Sequence, residues 1–149
     1  MSEATLRERA LRFLARREYA RSELARKLAP HAESADALEA LLDDLTARRL
    51  LSDARYVEMR MHARQARFGN ARLAHELRTQ GIAAEMVEAA LASGDDELTR
   101  ARQVWMKKFG DRPVPATPEE RARQARFLAS RGFSGETVRR VLRGACEDE

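Results

Sequence analysis

The sequence predicts an all-α protein made of three tandem three-helix repeats that form an elongated, curved array. Three observations support this fold class. Apolar residues recur at helical spacing along most of the chain, a unit of about fifty residues repeats, and three of the four prolines fall in one short segment, residues 113–118. No stretch shows the strict alternation of a β-strand, so no sheet is expected.

The first repeat, residues 1–51, is predicted to contain three short amphipathic helices. Its apolar residues form three successive groups, which are Leu6, Ala10, Phe13 and Leu14, then Leu24 and Leu28, then Leu38, Leu41, Leu42 and Leu45. Spacings of three and four residues place each group on one face of a helix, which can then be buried.

The pattern starts again twice. The second repeat, residues 52–96, has the groups Tyr56, Met59, Ala63 and Ala66, then Leu73 and Leu77, then Val87, Ala90 and Leu91. The third, residues 97–149, has Leu98, Ala101, Val104, Trp105 and Phe109, then Ala122, Ala125 and Leu128, then Val138, Val141 and Leu142. It adds a loop over residues 110–117, expected to be a flexible joint, and an acidic C-terminal end.

The repeats keep register, which supports a common origin of their structure. At an offset of 51 residues the matched pairs are Leu77 with Leu128, Gly81 with Gly132, Ile82 with Phe133, Glu85 with Glu136, and Val87 with Val138. An offset of 49 residues relates the first repeat to the second in the same way. A repeat of three short helices buries little surface alone, so neighbouring repeats are expected to pack together or against a partner.

Residues at the joints have the chemistry of helix boundaries. Gly81 and Gly132 follow helical runs and are predicted to adopt the left-handed conformation that ends a helix. Ser52 and Ser134 stand at N-cap positions, and Thr117 does so before a proline at the first helical position. Helices are therefore expected to end and begin at these points.

Three aromatic side chains are interpreted as core residues. Tyr19 and Phe68 align at the offset of 49 residues, and we expect both to anchor the turn before the second helix of a repeat. Trp105 falls on the apolar face of its helix, which favours core packing over stacking on a nucleic-acid base.

The charge is distributed unevenly. Of 28 basic residues only Lys27, Lys107 and Lys108 are lysines, and arginine suits an anionic partner because its planar group binds carboxylates and phosphates bidentately. Residues 121–143 contain seven basic residues and one acidic residue, whereas residues 83–99 contain five acidic residues and no basic one. Stacked repeats can bring the basic helices together on one surface.

Arginines within the basic helices recur at spacings that place them on one helix face. The two clearest stripes are Arg9, Arg12 and Arg16, and Arg60, Arg64 and Arg67. The residues predicted to bind a partner or nucleic acid are Arg12, Arg16, Arg60, Arg64, Arg67, Arg72, Arg78, Arg123, Arg126 and Arg131. Solvated faces balanced by nearby acids are the alternative interpretation of these stripes.

Several classes of function lack their motifs. His31, His62 and His75 lie in different segments, and Cys146 is the single cysteine, so neither a metal site nor an internal disulfide is expected. No phosphate-binding glycine loop or paired catalytic carboxylates occur, and no apolar run is long enough to span a membrane. We therefore expect a soluble, cytoplasmic protein without enzymatic activity, cofactor or small-molecule substrate.

Four stretches of the sequence resemble the RecX regulators of the bacterial recombinase RecA. They are Ala10 to Glu18 leading to Glu23 and Leu24, then Leu50 to Tyr56, then Gly69 to Ile82, then Leu128 to Ser134. Their order, the chain length and the charge fit that family. Ala20, in place of a common capping residue, and Ala32, in place of a helix-ending glycine, depart from its pattern, so the first repeat is expected to end its helices less cleanly.

The resemblance implies a protein, expected to be monomeric, that lies in the groove of the RecA filament on single- or double-stranded DNA. It would lower RecA ATPase, strand exchange and coprotease activities. Two alternatives stay open from the residues alone. One is a stand-alone DNA-binding protein of helix-turn-helix-like modules without sequence specificity, and the other is a helical-repeat adaptor for an acidic protein.

Overall fold

The structure is a computed structural model that describes residues 4–110, 115 and 117–147, the last three by their backbone alone. Within these residues it contains nine α-helices, one short 3-10 helix and no strand. The α-helices are α1 (Leu6–Arg16), α2 (Arg21–Leu28), α3 (Ala35–Ala47), α4 (Asp53–Arg64), α5 (Asn70–Thr79), α6 (Ala84–Ala92), α7 (Glu97–Phe109), α8 (Pro118–Ser130) and α9 (Gly135–Glu147). The prediction of an all-α fold with nine helices is confirmed.

The predicted N-caps are present. The hydroxyl of Ser52 accepts from the N–H of Arg55 at 3.1 Å, and that of Ser134 accepts from Thr137 at the same distance. Thr117 caps α8 through a bond from the Glu120 N–H, also 3.1 Å long. Each cap satisfies one of the amide groups that the first turn of a helix leaves without an internal partner.

The predicted glycine stops are also confirmed. Gly81 has φ +78° and Gly132 has φ +91°, both in the left-handed region. The N–H of the next residue donates back to the helix, from Ile82 to the Leu77 carbonyl (3.2 Å) and from Phe133 to the Leu128 carbonyl (3.3 Å). This is the Schellman arrangement, in which the apolar residue after the glycine also packs on the last turn.

The first repeat departs from this scheme, as the sequence suggested. Helix α2 continues into the 3-10 helix Ala29–His31, and Ala32 leaves it with extended backbone instead of a left-handed turn. Ala20 has no side chain that can cap α2. The N–H of Arg21 instead donates to the carboxylate of Asp53 at 2.7 Å.

The same kind of cap is found one repeat later. The N–H of Asn70, the first residue of α5, donates to the Glu97 carboxylate at 2.9 Å. The second oxygen of Glu97 accepts from the N–H of Ser134 at 3.1 Å. Asp53 and Glu97 are the first residues of α4 and α7, so in both cases the start of one repeat caps the second helix of the repeat before it.

The chain divides into two compact units. Unit 1 comprises the described residues of Met1–Met59 and Leu77–Val87, and unit 2 those of Arg60–Glu76 and Glu88–Glu149. The boundary passes through α4, α5 and α6, so each of these helices contributes residues to both units.

Each unit has an apolar core. That of unit 1 consists of Ala10, Tyr19, Leu24, Leu28, Leu38, Leu42, Leu45 and Leu51. That of unit 2 consists of Ala101, Val104, Leu128, Phe133, Val138, Val141 and Leu142. Most of these residues lie on the apolar helix faces that the spacing predicted, whereas Tyr19, Leu51 and Phe133 lie between helices. The prediction was wrong for Ala63, Ala66 and Ala122, which are exposed.

The three aromatic residues interpreted as core are buried or packed on a core. Tyr19 and Phe68 are 6% and 7% exposed. Trp105 packs against the core of unit 2 and donates its indole N–H to the side-chain oxygen of Gln124 at 2.8 Å. The predicted loop 110–117 lies mostly outside the described residues, as does the side chain of Cys146.

Candidate functional site

Five of the ten arginines predicted as binding residues surround one phenylalanine and one glutamate in unit 2. We call this group the Phe68 cluster; it consists of Phe68, Glu76, Arg60, Arg64, Arg67, Arg72 and Arg131. The stripe on α4 provides Arg60 and Arg64, and Arg67 follows in the turn after that helix. The spacing correctly placed Arg60 and Arg64 on one face of α4, where both contact Glu76, whereas Arg67 lies beyond the end of the helix.

Glu76 on α5 is the acidic centre of the cluster. Arg64 binds it bidentately, with both nitrogen–oxygen distances at 2.7 Å. Arg60 lies 3.5 Å and Arg72 3.6 Å from its oxygens. Burial raises the pKa of the Glu76 carboxyl, but the hydrogen bond and charge of Arg64, with the charge of Arg60, outweigh it and hold this pKa below its ordinary value.

The ring of Phe68 is the apolar centre of the cluster. The guanidinium carbons of Arg72 and Arg64 lie 4.3 Å and 4.4 Å from the ring centroid, and those of Arg67 and Arg131 lie 5.4 Å and 5.5 Å from it. These distances fall within the range of cation–π attraction. One ring therefore orients four guanidinium groups that would otherwise repel one another.

Backbone contact between two turns brings Arg131 into the cluster. The N–H of Gly69 donates to the Arg131 carbonyl at 2.8 Å, and that of Ala71 donates to the Gly132 carbonyl at 3.2 Å. A Cβ atom at Gly69 would overlap the backbone of Gly132, so only glycine permits this approach. A residue of the third repeat thereby joins arginines of the second.

Arg100 holds the backbone around Phe68 in place and was not predicted as a functional residue. It is 4% exposed, and its guanidinium group donates to the carbonyls of Gln65 (3.1 Å) and Phe68 (2.7 Å) and to the side chain of Asn70. Its position was visible in the sequence, because it shares the apolar face of α7 with Ala101 and Val104. A single charge on an apolar face signals a buried, partnered group.

Two further cations, Lys107 and Lys108, lie beside the cluster and were not predicted as functional residues. Lys107 and Lys108 on α7 and Arg67 line a groove of about 480 Å³ together with Arg131, Phe127 and Val104. Both lysines are exposed, and Lys108 lies 5.5 Å from the centroid of the Phe127 ring. We call this the lysine groove.

The other predicted arginines are exposed but lie outside the Phe68 cluster. Arg12 and Arg16 belong to unit 1, where with Arg9 they line a hollow of about 170 Å³ beside Phe13 and His31. Arg78 is exposed near the end of α5 and also belongs to unit 1.

Arg123 and Arg126 lie on α8 in unit 2, and both are exposed. Arg123 is 3.4 Å from a carboxylate oxygen of Glu120, and Arg126 forms no ion pair with any residue that the structure describes. Neither residue is among the groups that surround Phe68.

The three histidines are all exposed and lie in different elements. Residues 4–110, 115 and 117–147 contain no group of three side chains suited to hold a metal ion. None of the described helices combines the length and apolar composition that crossing a membrane requires.

Two regions of the chain match described protein families. Residues 52–91 match "RecX, second three-helix domain", and residues 95–142 match "RecX, third three-helix domain". Together these regions cover more than half of the chain and include the whole Phe68 cluster.

Full-length relatives are similar in sequence. The chain is 53% identical over 140 residues to "Regulatory protein RecX" of Leptothrix cholodnii, covering 93% of this chain and 88% of that protein. It is 46% identical over 145 residues to the protein of the same name from Chromobacterium violaceum, with 97% and 93% covered. The similarity therefore extends over nearly the whole of both chains.

Solved structures have a similar fold. The crystal structure of RecX from Lactobacillus salivarius superimposes with a TM-score of 0.80 at 17% identity, covering 95% of each chain. A second crystal structure, of a regulatory protein RecX, gives a TM-score of 0.75 at 18% identity and covers 97% of this chain and 72% of the other. At these identities the likeness concerns the fold.

Proposed function

Because the chain belongs to the RecX family of regulatory proteins, we propose that it binds the filament of the RecA recombinase on DNA and inhibits it. The inhibited activities are RecA ATP hydrolysis, strand exchange and coprotease activity, so the protein modulates recombination, DNA repair and the SOS response. It acts in the cytoplasm by binding, as a monomer and without catalysis of its own.

The observation that carries the proposal is the Phe68 cluster. Five guanidinium groups share a single carboxylate, that of Glu76, so the cluster has a strong excess of positive charge. The exposed members, Arg67 and Arg72, reach solvent, whereas Arg64 is half-buried and paired. Arg67 forms no ion pair with the described residues, and Arg72, although 3.6 Å from Glu76, is exposed, so both can contact a partner.

A RecA filament on DNA offers two kinds of anion, protein carboxylates and DNA phosphates. Guanidinium groups bind both bidentately, and groups already oriented by a ring and a carboxylate lose less conformational freedom on binding. Occupation of the filament groove by such a surface would exclude incoming duplex and favour disassembly. The exposed Arg12, Arg16, Arg78, Arg123 and Arg126 would add contacts outside the cluster.

The direct test is ATP hydrolysis by RecA on single-stranded DNA as this protein is added. We expect the steady-state rate to fall with increasing concentration and to recover as salt is raised, because surface charge pairs are screened. A rate that does not change at any concentration would contradict the proposal.

A stand-alone DNA-binding protein is the second candidate, and the stretch 121–143, with seven basic residues and one acidic residue, favours it. Binding to bare duplex DNA over a salt series distinguishes the two. This alternative predicts tight binding with a steep salt dependence and no preference for RecA-coated DNA. The proposed function predicts stronger binding to the filament than to bare DNA, and an adaptor for an acidic protein would bind neither.

A further inference from the structure

We propose that the lysine groove is the docking site for an acidic peptide segment with an apolar anchor, provided by the protein partner. The inference rests on the proposed function for the source of that segment. It assigns a role to Lys107 and Lys108, which belong to neither predicted arginine stripe.

The charge of the groove selects an anion. Four cations line it, Arg67, Lys107, Lys108 and Arg131, and no acidic side chain does. None of the four forms an ion pair with a carboxylate in the part of the chain that the structure describes. The charge is therefore available to a ligand.

The two other hollows are either smaller or contain an acidic side chain. The hollow of unit 1 that contains Arg21 and Arg55 also contains Asp53, and both arginines already form ion pairs with acidic side chains. The hollow beside Arg12 and Arg16 has no acid, but its volume is about 170 Å³ against about 480 Å³. The lysine groove is the only one of these three that is both large and without negative charge.

The floor of the groove is apolar. Val104 is 9% exposed and Phe127 is half-buried, and these side chains lie among the four cations. A free phosphate would gain nothing from such a floor. A peptide that combines carboxylates with a leucine or phenylalanine side chain would use both the floor and the charged rim.

A single-stranded nucleic acid is a poorer fit. Its binding sites stack bases on aromatic rings with free faces. Here the Phe127 ring has Arg131 at 5.1 Å and Lys108 at 5.5 Å, and it packs edge-on against Phe109. Phe68 is buried under four guanidinium groups. Both rings are thus already engaged by the protein's own side chains.

Fluorescence anisotropy with the full chain tests the proposal. The probe is a short labelled peptide in which Glu and Asp flank a central Leu-Phe pair, and its control has Gln and Asn in place of the acids. We expect the acidic peptide to bind and the control peptide to bind at least about tenfold more weakly. Equal binding of the two peptides would overturn the proposal.

Matched variants locate the binding. Lys107→Glu with Lys108→Glu should lower affinity for the acidic peptide by at least about tenfold, since it reverses two charges of the groove. Arg139→Glu with Arg140→Glu makes the same change of charge at exposed positions of α9 and should change affinity by no more than about twofold. If both double variants lose the same affinity for the acidic peptide, the attraction is nonspecific and the lysine groove is not the binding site.

Two further measurements separate the other outcomes. If labelled oligothymidylate displaces the peptide and also loses affinity in the lysine variant, the groove is a nucleic-acid site and the proposal is wrong. If the wild-type protein inhibits RecA but does not bind the acidic peptide, the proposed role of the lysine groove is wrong and the proposed function is not affected. Peptide binding that depends on the lysines, together with unchanged RecA activity, would support the groove and contradict the proposed function.

Discussion

Arginine has two distinct roles in unit 2, and the surroundings of each side chain decide which. Arg100 is buried, burial lowers its pKa, and it holds the backbone after α4 by hydrogen bonds to two carbonyl groups. Arg67 and Arg72 are exposed and lie against the Phe68 ring. The first role is structural, and the second is the one on which the proposed function depends.

Replacing Arg100 with methionine should destabilise the protein strongly. Methionine fills the space but leaves the carbonyls of Gln65 and Phe68 without their donor, which costs roughly 2–4 kcal/mol. The measurement is the urea midpoint of unfolding. Arg102→Met, at an exposed position of the same helix, is the control and should change the free energy by less than about 0.5 kcal/mol. Equal effects would show that the buried bonds contribute nothing.

Glu76 should give the protein part of its pH dependence. Its pKa in the folded state is lowered from the ordinary 4.5, so the folded state favours the carboxylate. The ionised Glu76 therefore contributes to the free energy of unfolding. This contribution is fully present above about pH 4.5 and is lost as the pH falls through the lower folded-state pKa.

Glu76→Gln tests this dependence. We expect the variant to be less stable than the wild type by roughly 1–3 kcal/mol at neutral pH, with the difference shrinking in acid. Thermal unfolding followed by circular dichroism at several pH values measures it. Glu58→Gln, at an exposed position on α4, should behave like the wild type throughout. If the stability difference between Glu76→Gln and the wild type does not change with pH, ionisation of Glu76 is not the cause of the pH dependence.

At the scale of elements, three helices end with the same hydrogen-bond pattern. Helices α5 and α8 end in left-handed glycines, and α3 ends in the same hydrogen-bond pattern with Arg49 in the glycine position at φ +62°. The N–H of Leu50 still donates to the Leu45 carbonyl, at 2.9 Å. Arg49 thus adopts a conformation that costs an L-residue energy.

Arg49→Gly should therefore stabilise the protein. Relief of the left-handed penalty exceeds the added flexibility of glycine in the unfolded chain, and we expect a gain of about 0.5–1 kcal/mol. Arg49→Ala is the matched control, because it removes the same side chain and keeps the strained backbone. A gain of equal size in both variants, measured by urea unfolding, would show that the side chain and not the backbone is responsible.

Caps between repeats are the second feature at this scale. Glu97 accepts from the N–H groups of Asn70 and Ser134 and so serves the starts of two helices. Glu97→Ala should cost about 1–2 kcal/mol of stability, as other cap deletions do. Glu136→Ala, at an exposed position in the first turn of α9, should cost less than half of that. Hydrogen exchange should also quicken at the amides of Asn70 and Ser134, and unchanged rates there would contradict the capping role.

At the scale of the whole molecule, charge governs the proposed function. The chain carries a net charge of only +4, but its basic and acidic residues are separated into different segments. Long-range attraction to an anionic filament therefore depends on which segments face it.

Reversing exposed charges of the Phe68 cluster should weaken inhibition of RecA. We choose Arg67→Glu with Arg72→Glu, because both are exposed and Arg72 makes only a 3.6 Å contact with Glu76, whereas a change at Arg64 would break the bidentate pair. The expected result is at least a tenfold rise in the concentration that halves RecA ATP hydrolysis. Arg139→Glu with Arg140→Glu again controls for net charge. If both double variants inhibit like the wild type, the cluster is not the contact surface.

The sequence by itself determined the features that depend on neighbouring residues. Helical spacing predicted most of the residues of the two apolar cores, and the chemistry of Gly81, Gly132 and Thr117 predicted helix boundaries, because caps and turns form within one helical turn. The adjacency of Arg60 and Arg64 on α4 followed from the same helical geometry. The boundaries 1–51, 52–96 and 97–149 stay a prediction.

Only the tertiary structure decided which distant residues meet. Arg131 reaches Phe68 through the contact at Gly69, Arg100 is buried beneath the turn after α4, and Asp53 replaces the cap that Ala20 lacks. Local spacing cannot encode these pairings, since each depends on how helices far apart in the chain pack. Packing also decides which guanidinium groups are buried or paired with a carboxylate and which stay exposed to a partner.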